Sequence, residues 1–118
     1  MKPKISPKRG EVWRVALDPV VGSELSKTRP VVVLSLPGTG RPSVHLGVPV
    51  TDFNEAASWF FWRVTLSPSG SLRKVSSADA SQIRALDVAR FQERLGKLEV
   101  QEVDAIAEAL AKIVGYSS

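Results

Sequence analysis

The chain contains no cysteine and a single histidine, His45. Without thiolates there can be no disulfide framework, no cysteine-ligated zinc or iron–sulfur cluster and no cysteine nucleophile. One histidine also excludes a two-histidine acid–base pair and an HExxH zinc site, and no Ser–His–Asp arrangement is evident. Any enzymatic chemistry must therefore come from carboxylates, hydroxyls and cations, and we expect no metal or other cofactor.

Long hydrophobic runs are also missing. No apolar stretch approaches the roughly 18 residues of a membrane-spanning helix and no signal-like segment is visible, so we expect a cytoplasmic protein without membrane association. Hydrophobic residues are 43% and charged residues 24% of the 118 positions, which is typical of a globular domain. We expect residues 1–8, with two prolines and three lysines, to form a flexible basic arm, and residues 9–118 a single domain.

Basic charge is concentrated in the body of the chain. The net charge is +4. Residues 1–98 hold fifteen basic and eight acidic side chains, whereas residues 99–118 hold one basic and four acidic side chains. This asymmetry favours a polyanionic partner for the basic body, although many soluble domains of this charge bind no nucleic acid.

Alternation of apolar and polar residues predicts a series of short strands. In residues 11–17 the alternation puts Val12 and Arg14 on one face and Trp13, Val15 and Leu17 on the other. Residues 30–36 are apolar on both faces and predict a buried central strand, with Pro30 confined to its first position because it cannot donate to the ladder. Further strands are predicted at residues 43–51, 58–66, 72–76 and 82–86.

In the last twenty residues the spacing of apolar side chains changes from the two-residue alternation of a strand to a longer period. Apolar side chains recur there every three or four positions, at Val100, Val103, Ile106, Leu110 and Ile113. This predicts an amphipathic helix over residues 99–114 that ends at Gly115. Short strands followed by one helix indicate a mainly β fold class, with a strongly bent antiparallel sheet or small barrel and a C-terminal helix.

The connection formed by residues 18–29 is far longer than a hairpin between neighbouring strands requires. Long loops on rigid sheets are usually functional. This loop carries Glu24 and Lys27 and ends at Arg29, at the mouth of the most buried predicted strand. The next strand ends at Thr51, which would bring a hydroxyl to the same rim.

Several segments, in the right order, resemble the MazF/PemK toxins: Arg9–Trp13, Asp18–Glu24, Lys27–Ser35, Pro49–Thr51, Gln82–Arg84 and Arg94–Leu98. The resemblance spans about residues 9–115. It implies an SH3-like barrel of the plasmid-toxin type, a homodimer, and the toxin half of a type II toxin–antitoxin pair with a cognate antitoxin as partner. It also implies a metal-independent mRNA interferase that cuts single-stranded RNA at a short sequence by 2′-hydroxyl attack, leaving 2′,3′-cyclic phosphate and 5′-hydroxyl ends.

The family's functional arginine and threonine fall on Arg29 and Thr51. A guanidinium donates two hydrogen bonds to phosphate and suits the extra negative charge of the phosphorane. The Thr51 hydroxyl could donate to a non-bridging oxygen or orient the 2′-hydroxyl. Because arginine is a poor proton acceptor, Glu24 is our hypothesis for the general base. Contacts to RNA are assigned to Lys27, Gln82 and Arg84.

Each of these residues also has a plainer interpretation. Arg29 could form a surface ion pair with Glu24 or Asp52, Thr51 could be a strand former, and Glu24 could only hold Arg29 in place. Gln82 could bridge loops and Lys27 could be merely solvated. The aromatic segment, residues 59–62, could pack in the core or a dimer interface, stack on RNA bases, or anchor an antitoxin peptide.

The sequence departs from the family pattern just before Gln82. Residues 76–81 are small and polar where the family usually has an apolar strand, and Ser81 stands where an acidic residue is common. These residues predict a weak strand and leave the details of base recognition open. Two other functions also remain open: a non-catalytic toxin of the same barrel that inhibits DNA gyrase by protein contact, and a plain RNA-binding barrel.

Overall fold

The computed structural model describes residues 5–17, 22, 27–68 and 72–117, and these form one antiparallel sheet with a C-terminal helix. The elements in chain order are β1 (Glu11–Ala16), β2 (Thr28–Val33), β3 (Val44–Asp52), β4 (Arg63–Leu66), β5 (Ser76–Asp79), β6 (Arg84–Asp87), β7 (Phe91–Lys97) and α1 (Val100–Ile113). The mainly β fold class with a C-terminal helix is confirmed. The sheet is not closed: its order is β4-β5-β3-β2-β1-β7, and β6 pairs with β3. None of the described helices is long and apolar enough to cross a membrane.

Strand β3 connects the two halves of the sheet. Its first part pairs with β2 and β6, and its last three residues, Val50 to Asp52, pair with β5. The alternation predicted for β1 is confirmed, because its side chains enter two different cores. Val12 joins Val32 in the core that α1 covers, whereas Trp13 and Val15 join the other core with Phe91. Each fully buried valine or leucine contributes about 1.5–3 kcal/mol relative to exposure.

Strand β2 is central and buried as predicted, but it begins at Thr28, so Pro30 is its third residue and the prediction of a first position was wrong. Pro30 is opposite Arg14 of β1, whereas pairing with β3 begins only at Val31. At Pro30, therefore, β2 has a neighbouring strand on one side only. A proline is tolerated there because its missing N–H can face the unpaired side.

The strand predicted at residues 58–66 is shorter than expected, because the aromatic segment forms turns and β4 covers only Arg63–Leu66. A short 3₁₀ turn, Glu55–Ala57, precedes it, and Asn54 caps that turn by accepting hydrogen bonds from the backbone N–H groups of its residues. Trp59 is 87% exposed, so this ring packs in no core within the chain. The apolar run at 59–62 was misread as a strand because rings favour strands only where they can pack.

The polar stretch before Gln82 does form a strand, β5, and all four of its residues are buried. The strand predicted at residues 72–76 therefore lies later in the chain, within the stretch of residues 76–81 that the sequence predicted to form only a weak strand. Pairing with β3 on one side and β4 on the other supplies the ladder partners that local propensity did not indicate. Strand β7 was not predicted.

The helix has the ends that the sequence predicted. At its start the Glu102 carboxylate accepts hydrogen bonds from the backbone N–H of Glu99, at 3.4 Å, and of Ser67, at 2.9 Å. It thereby caps the helix and ties it to the chain just after β4. At its end Gly115 has φ of 83°, the left-handed conformation that terminates helices and favours glycine.

Gly47 is a position in the sheet where a side chain has no room. It lies opposite Val33 of β2 and Arg84 of β6. A Cβ atom at this position would be 2.4 Å from Val31 Cγ1 and 2.8 Å from Leu86 Cδ1, both in fully buried side chains. Only glycine lets these strands and side chains pack at this distance.

Glu11 is the side chain whose pKa is displaced in the described part of the chain. Burial raises the pKa, but hydrogen bonds from the Trp13 indole at 3.0 Å, the Arg94 guanidinium at 2.8 Å and the Lys8 backbone N–H at 2.8 Å outweigh it. The net result is a pKa below the ordinary value of a glutamate. The folded state therefore stabilises the charged carboxylate.

We expect Glu11→Gln to lower the free energy of unfolding by about 1 kcal/mol at pH 7, because hydrogen bonds to the charged carboxylate are lost. A depressed folded-state pKa contributes stability above the unfolded-state pKa and loses it as the pH falls through the folded-state value. The difference between the two proteins should thus shrink below about pH 4. Urea denaturation at pH 7 and pH 3 measures it, and a pH-independent difference would contradict the assignment.

Candidate active site

A pocket of about 420 Å³ lies where the start of β2 meets the end of β3. Its walls are residues 28–30, residues 50–52, and the segment formed by residues 72–74 and Ser76 that leads into β5. Arg29 and Thr51, the two residues assigned to catalysis from different strands, both line it. The sheet explains why they meet. Val31 of β2 is opposite Pro49 of β3 at the last position of their pairing, and Arg29 and Thr51 each lie two residues beyond that position, at the same end of the two strands.

The charge of the pocket is mostly positive. Among its described lining residues are three basic side chains, Arg29, Arg73 and Lys74, and one acidic side chain, Asp52. Lys74 Nζ lies 3.1 Å from Asp52 Oδ1, but both side chains are more than 70% exposed, so this pair adds little stability. Asp52 thus forms an ion pair with Lys74, whereas the plainer interpretation had offered it as a partner of Arg29. A pocket of this charge suits a phosphate group.

Sequence patterns did not identify Arg73 and Lys74 as site residues. They were placed within a predicted strand at residues 72–76, where alternation would have sent them to opposite faces. In the structure they precede β5 and are exposed. The signal that could have found them is a basic dipeptide one residue after the segment 67–71, whose serine, proline and glycine predict a turn, since such positions lie at the rim of a sheet.

Lys27 stands where the long loop returns to the sheet. It is the one non-glycine residue among those described with a positive φ, 66°, and its carbonyl accepts a hydrogen bond from the Leu17 N–H at 2.9 Å. Arg84 Nη1 donates to the Leu17 carbonyl at 2.8 Å and Arg90 Nη1 donates to the Ala16 carbonyl at 3.1 Å. Together these contacts fix both ends of the loop beside the pocket.

The other assigned residues have different positions. Glu24 lies outside the described residues. Gln82 is half-buried in the 3₁₀ turn Ala80–Gln82 that follows β5, and neither it nor Arg84 lines the pocket of Arg29 and Thr51. Arg84 reaches the site indirectly, through the end of β1.

The turn that carries Gln82 is capped by an acidic residue, Asp79, the last residue of β5. Asp79 Oδ1 accepts hydrogen bonds from the Ser81 N–H at 3.0 Å and from the Ser81 hydroxyl at 2.5 Å. Ser81 is the position where the family commonly has an acidic residue. In this chain the Asp79 carboxylate, two residues earlier, is hydrogen-bonded to that position.

The model of one protein family matches residues 8–114, nearly the whole chain: the PemK-like, MazF-like toxins of type II toxin–antitoxin systems. The chain belongs to this family. Among curated relatives, the toxin is 34% identical over 109 residues to endoribonuclease MazF9 of Mycobacterium tuberculosis (strain ATCC 25618 / H37Rv), covering 87% of this chain and 92% of the relative. It is 31% identical over 108 residues to endoribonuclease PemK of Escherichia coli, covering 90% of this chain and 80% of the relative.

Solved structures show the same fold for this toxin. MazF from Deinococcus radiodurans superposes with a TM-score of 0.81 at 23% identity, covering 96% of this chain and all of that chain. A mycobacterial endoribonuclease in complex with its cognate antitoxin superposes with a TM-score of 0.76 at 21% identity, covering 95% and 98% of the two chains. At these identities the likeness concerns the fold.

Proposed function

We propose that the chain is an endoribonuclease toxin that cuts single-stranded RNA at a short specific sequence without a metal ion. The observation that carries this proposal is the meeting of Arg29 and Thr51 in one mostly basic pocket. Two curated relatives at 31% and 34% identity bear the name endoribonuclease, which supports the activity. The described residues contain no group of three or more His, Cys, Asp or Glu side chains that could hold a metal ion.

The proposed reaction is an internal transfer at phosphorus. The 2′-oxygen bonds to the adjacent phosphorus, the bond from phosphorus to the 5′-oxygen breaks, and the products are a 2′,3′-cyclic phosphate and a 5′-hydroxyl. The 2′-hydroxyl proton goes to a base and the 5′-oxygen receives a proton. Arg29 stabilises the added negative charge on the phosphorane, and Thr51 donates to a non-bridging oxygen. Arg73, exposed on another wall of the same pocket, adds a positive charge for the neighbouring phosphate.

Glu24 remains our hypothesis for the group that accepts the 2′-hydroxyl proton. Its support is the sequence, since it lies five residues before Arg29 in the loop whose ends the structure places beside the pocket. Replacing Glu24 by glutamine keeps the side-chain shape and removes the proton acceptor. An unchanged cleavage rate in that variant would remove Glu24 from this role.

Recognition of the RNA sequence requires contacts beyond the reacting phosphate. Unpaired bases are bound by stacking on rings and by hydrogen bonds to their edges. We propose that Gln82 and Lys27 supply polar contacts to the RNA and that the exposed Trp59 offers a stacking surface for a base. Arg84 acts indirectly, by its hydrogen bond to the Leu17 carbonyl at the start of the long loop. The loop that carries Trp59 begins directly after Asp52, in the pocket wall.

Two protein partners belong to the proposal. A cognate antitoxin would neutralise the toxin, as supported by the fold likeness to a mycobacterial endoribonuclease in complex with its antitoxin. A second copy of the chain would form a homodimer. The exposed apolar side chains Leu36, Val114 and Tyr116, which line a second groove of about 390 Å³ at the end of α1, offer surface for such an association.

The activity is tested by incubating the protein with a long transcript of mixed sequence in buffer containing EDTA. We expect discrete fragments whose ends map to one short sequence, with 5′-hydroxyl groups that polynucleotide kinase labels directly and 2′,3′-cyclic phosphates at the other ends. RNA that stays intact at high protein concentration would contradict the proposal and favour the gyrase-inhibiting alternative. Cleavage that EDTA abolishes would contradict its metal independence.

A further inference from the structure

Two segments leave the sheet side by side: the turn that carries Gln82, and the aromatic segment at residues 59–62. Arg63, the first residue of β4, is opposite Asp79, the last residue of β5. Immediately beyond this pair the chain forms the aromatic segment on one side and the turn Ala80–Gln82 on the other. The Ala80 N–H donates to the Trp62 carbonyl at 2.8 Å and so joins the two segments directly.

Asp79 connects this junction to the turn with its side chain. The side chain is 8% exposed. One carboxylate oxygen accepts the two hydrogen bonds from Ser81, and the other lies 3.3 Å from Arg63 Nε. The Arg63 side chain is 22% exposed and its Nε makes no hydrogen bond of good geometry, so its attraction to Asp79 is mainly electrostatic.

A pair of this kind is hard to explain by stability alone. Removing two charges from water carries a desolvation penalty, and well-packed apolar side chains at such positions are often equally or more stabilising. The neighbouring positions on the same two strands, Val64 and Ala78, are apolar and pack in the core. The ion pair also has an effect on geometry. It joins Arg63, next to the aromatic segment, to Asp79, next to the turn, and so constrains how these two segments lie relative to each other.

We infer that the Arg63–Asp79 pair is a positioning element for RNA sequence selection, holding the Gln82 turn and the aromatic segment in one fixed arrangement. The inference rests on the proposed function. Both groups lie outside the pocket of Arg29 and Thr51. Loss of the pair should therefore weaken binding and selectivity while leaving the chemical step on the preferred sequence largely intact. Loss of one base contact, a stacked ring or a hydrogen bond, costs about 10- to 100-fold in RNA affinity.

The test compares kcat and KM on short oligonucleotides containing the preferred sequence or its single-base variants. In Asp79→Ala we expect KM on the preferred sequence to rise about 10- to 100-fold, discrimination between sequences to fall similarly, and kcat to stay within about threefold. Asp79→Asn should recover part of the loss, because its amide oxygen still accepts from Ser81. Glu93→Gln is the matched control, since it breaks the exposed Arg14–Glu93 pair on β1 and β7.

The double variant Arg63→Met/Asp79→Leu separates positioning from folding. We expect it to melt at or above the parental temperature, since it replaces the charges by apolar side chains, and yet to lose the same selectivity. Parental KM and sequence preference in the folded double variant would overturn the inference, and would leave the proposed function standing. A parent protein that cleaves no RNA would overturn both.

Discussion

Arg29→Ala is expected to lower the rate of RNA cleavage by about 10²- to 10³-fold, the usual effect of removing one preorganised donor from a developing negative charge. Arg29 is the pocket cation supplied directly by a sheet strand, since β2 begins at Thr28, whereas Arg73 and Lys74 lie in the segment before β5. Thr51 lines the same pocket. Single-turnover cleavage of an oligonucleotide carrying the preferred sequence measures the effect.

Comparison variants make this result specific. Arg14→Ala removes the same charge from β1, where Arg14 pairs with Glu93 outside the pocket, and should cleave like the parent. Arg29→Lys keeps the charge but loses the planar fork, so its rate should lie between those of parent and alanine variant. Thr51→Val removes one donor and should slow cleavage about tenfold or more. An Arg29→Ala protein as active as the parent would show that the chemistry occurs elsewhere.

Gly47→Ala is expected to lower the free energy of unfolding by about 2–3 kcal/mol, at the upper end for overpacked positions. The added methyl group would fall within 2.4 Å of one fully buried side chain and 2.8 Å of another, on strands that pair on both sides of Gly47. In a domain of this size the melting temperature should fall by about 10 °C. Thermal and urea denaturation measure the change.

A double-mutant cycle identifies the cause of this loss. Val31→Ala alone leaves a cavity and should destabilise the protein, whereas in the Gly47→Ala background it also removes the nearest atom of the clash. We therefore expect the second substitution to cost less in that background than alone. Strictly additive losses would contradict the steric explanation, and a Gly47→Ala protein within about 0.5 kcal/mol of the parent would contradict the prediction itself.

The elements with strong periodicity were predictable from the sequence. In β1 the alternation put Val12 and Trp13 on opposite faces, which the structure packs into two different cores, and in α1 the apolar spacing and Gly115 predicted the helix and its end. Strand β5 was predicted too early in the chain, because its polar residues look like loop when read alone. Its pairing partners, β3 and β4, are distant in the chain, and local propensity does not report them.

The candidate site was predictable to the extent that it depends on strand ends. Arg29 and Thr51 follow from the positions of two neighbouring strands and from the family resemblance. Arg73 and Lys74 come to the same pocket because β5 pairs with β3, so the turn residues before them could predict a position at the rim of a sheet but not at this pocket. The role of Asp79 likewise depends on a hydrogen bond to Ser81 and on a cross-strand contact with Arg63.

The open ends of the sheet also govern how this toxin can associate. Strands β4 and β7 end its main order, and β6 pairs only with β3 among the described strands. Strands β4 and β6 are four residues long, and the exposed Gln92, Glu93 and Arg94 of β7 and its irregular pairing with β1 distort a flat edge. Short, charged and bulged margins discourage another backbone from extending the ladder. At the high concentrations of an overproducing cell, the folded protein should therefore resist end-to-end stacking into fibrils. A peptide that binds this protein would therefore have to be recognised through its side chains rather than by backbone pairing with an edge strand.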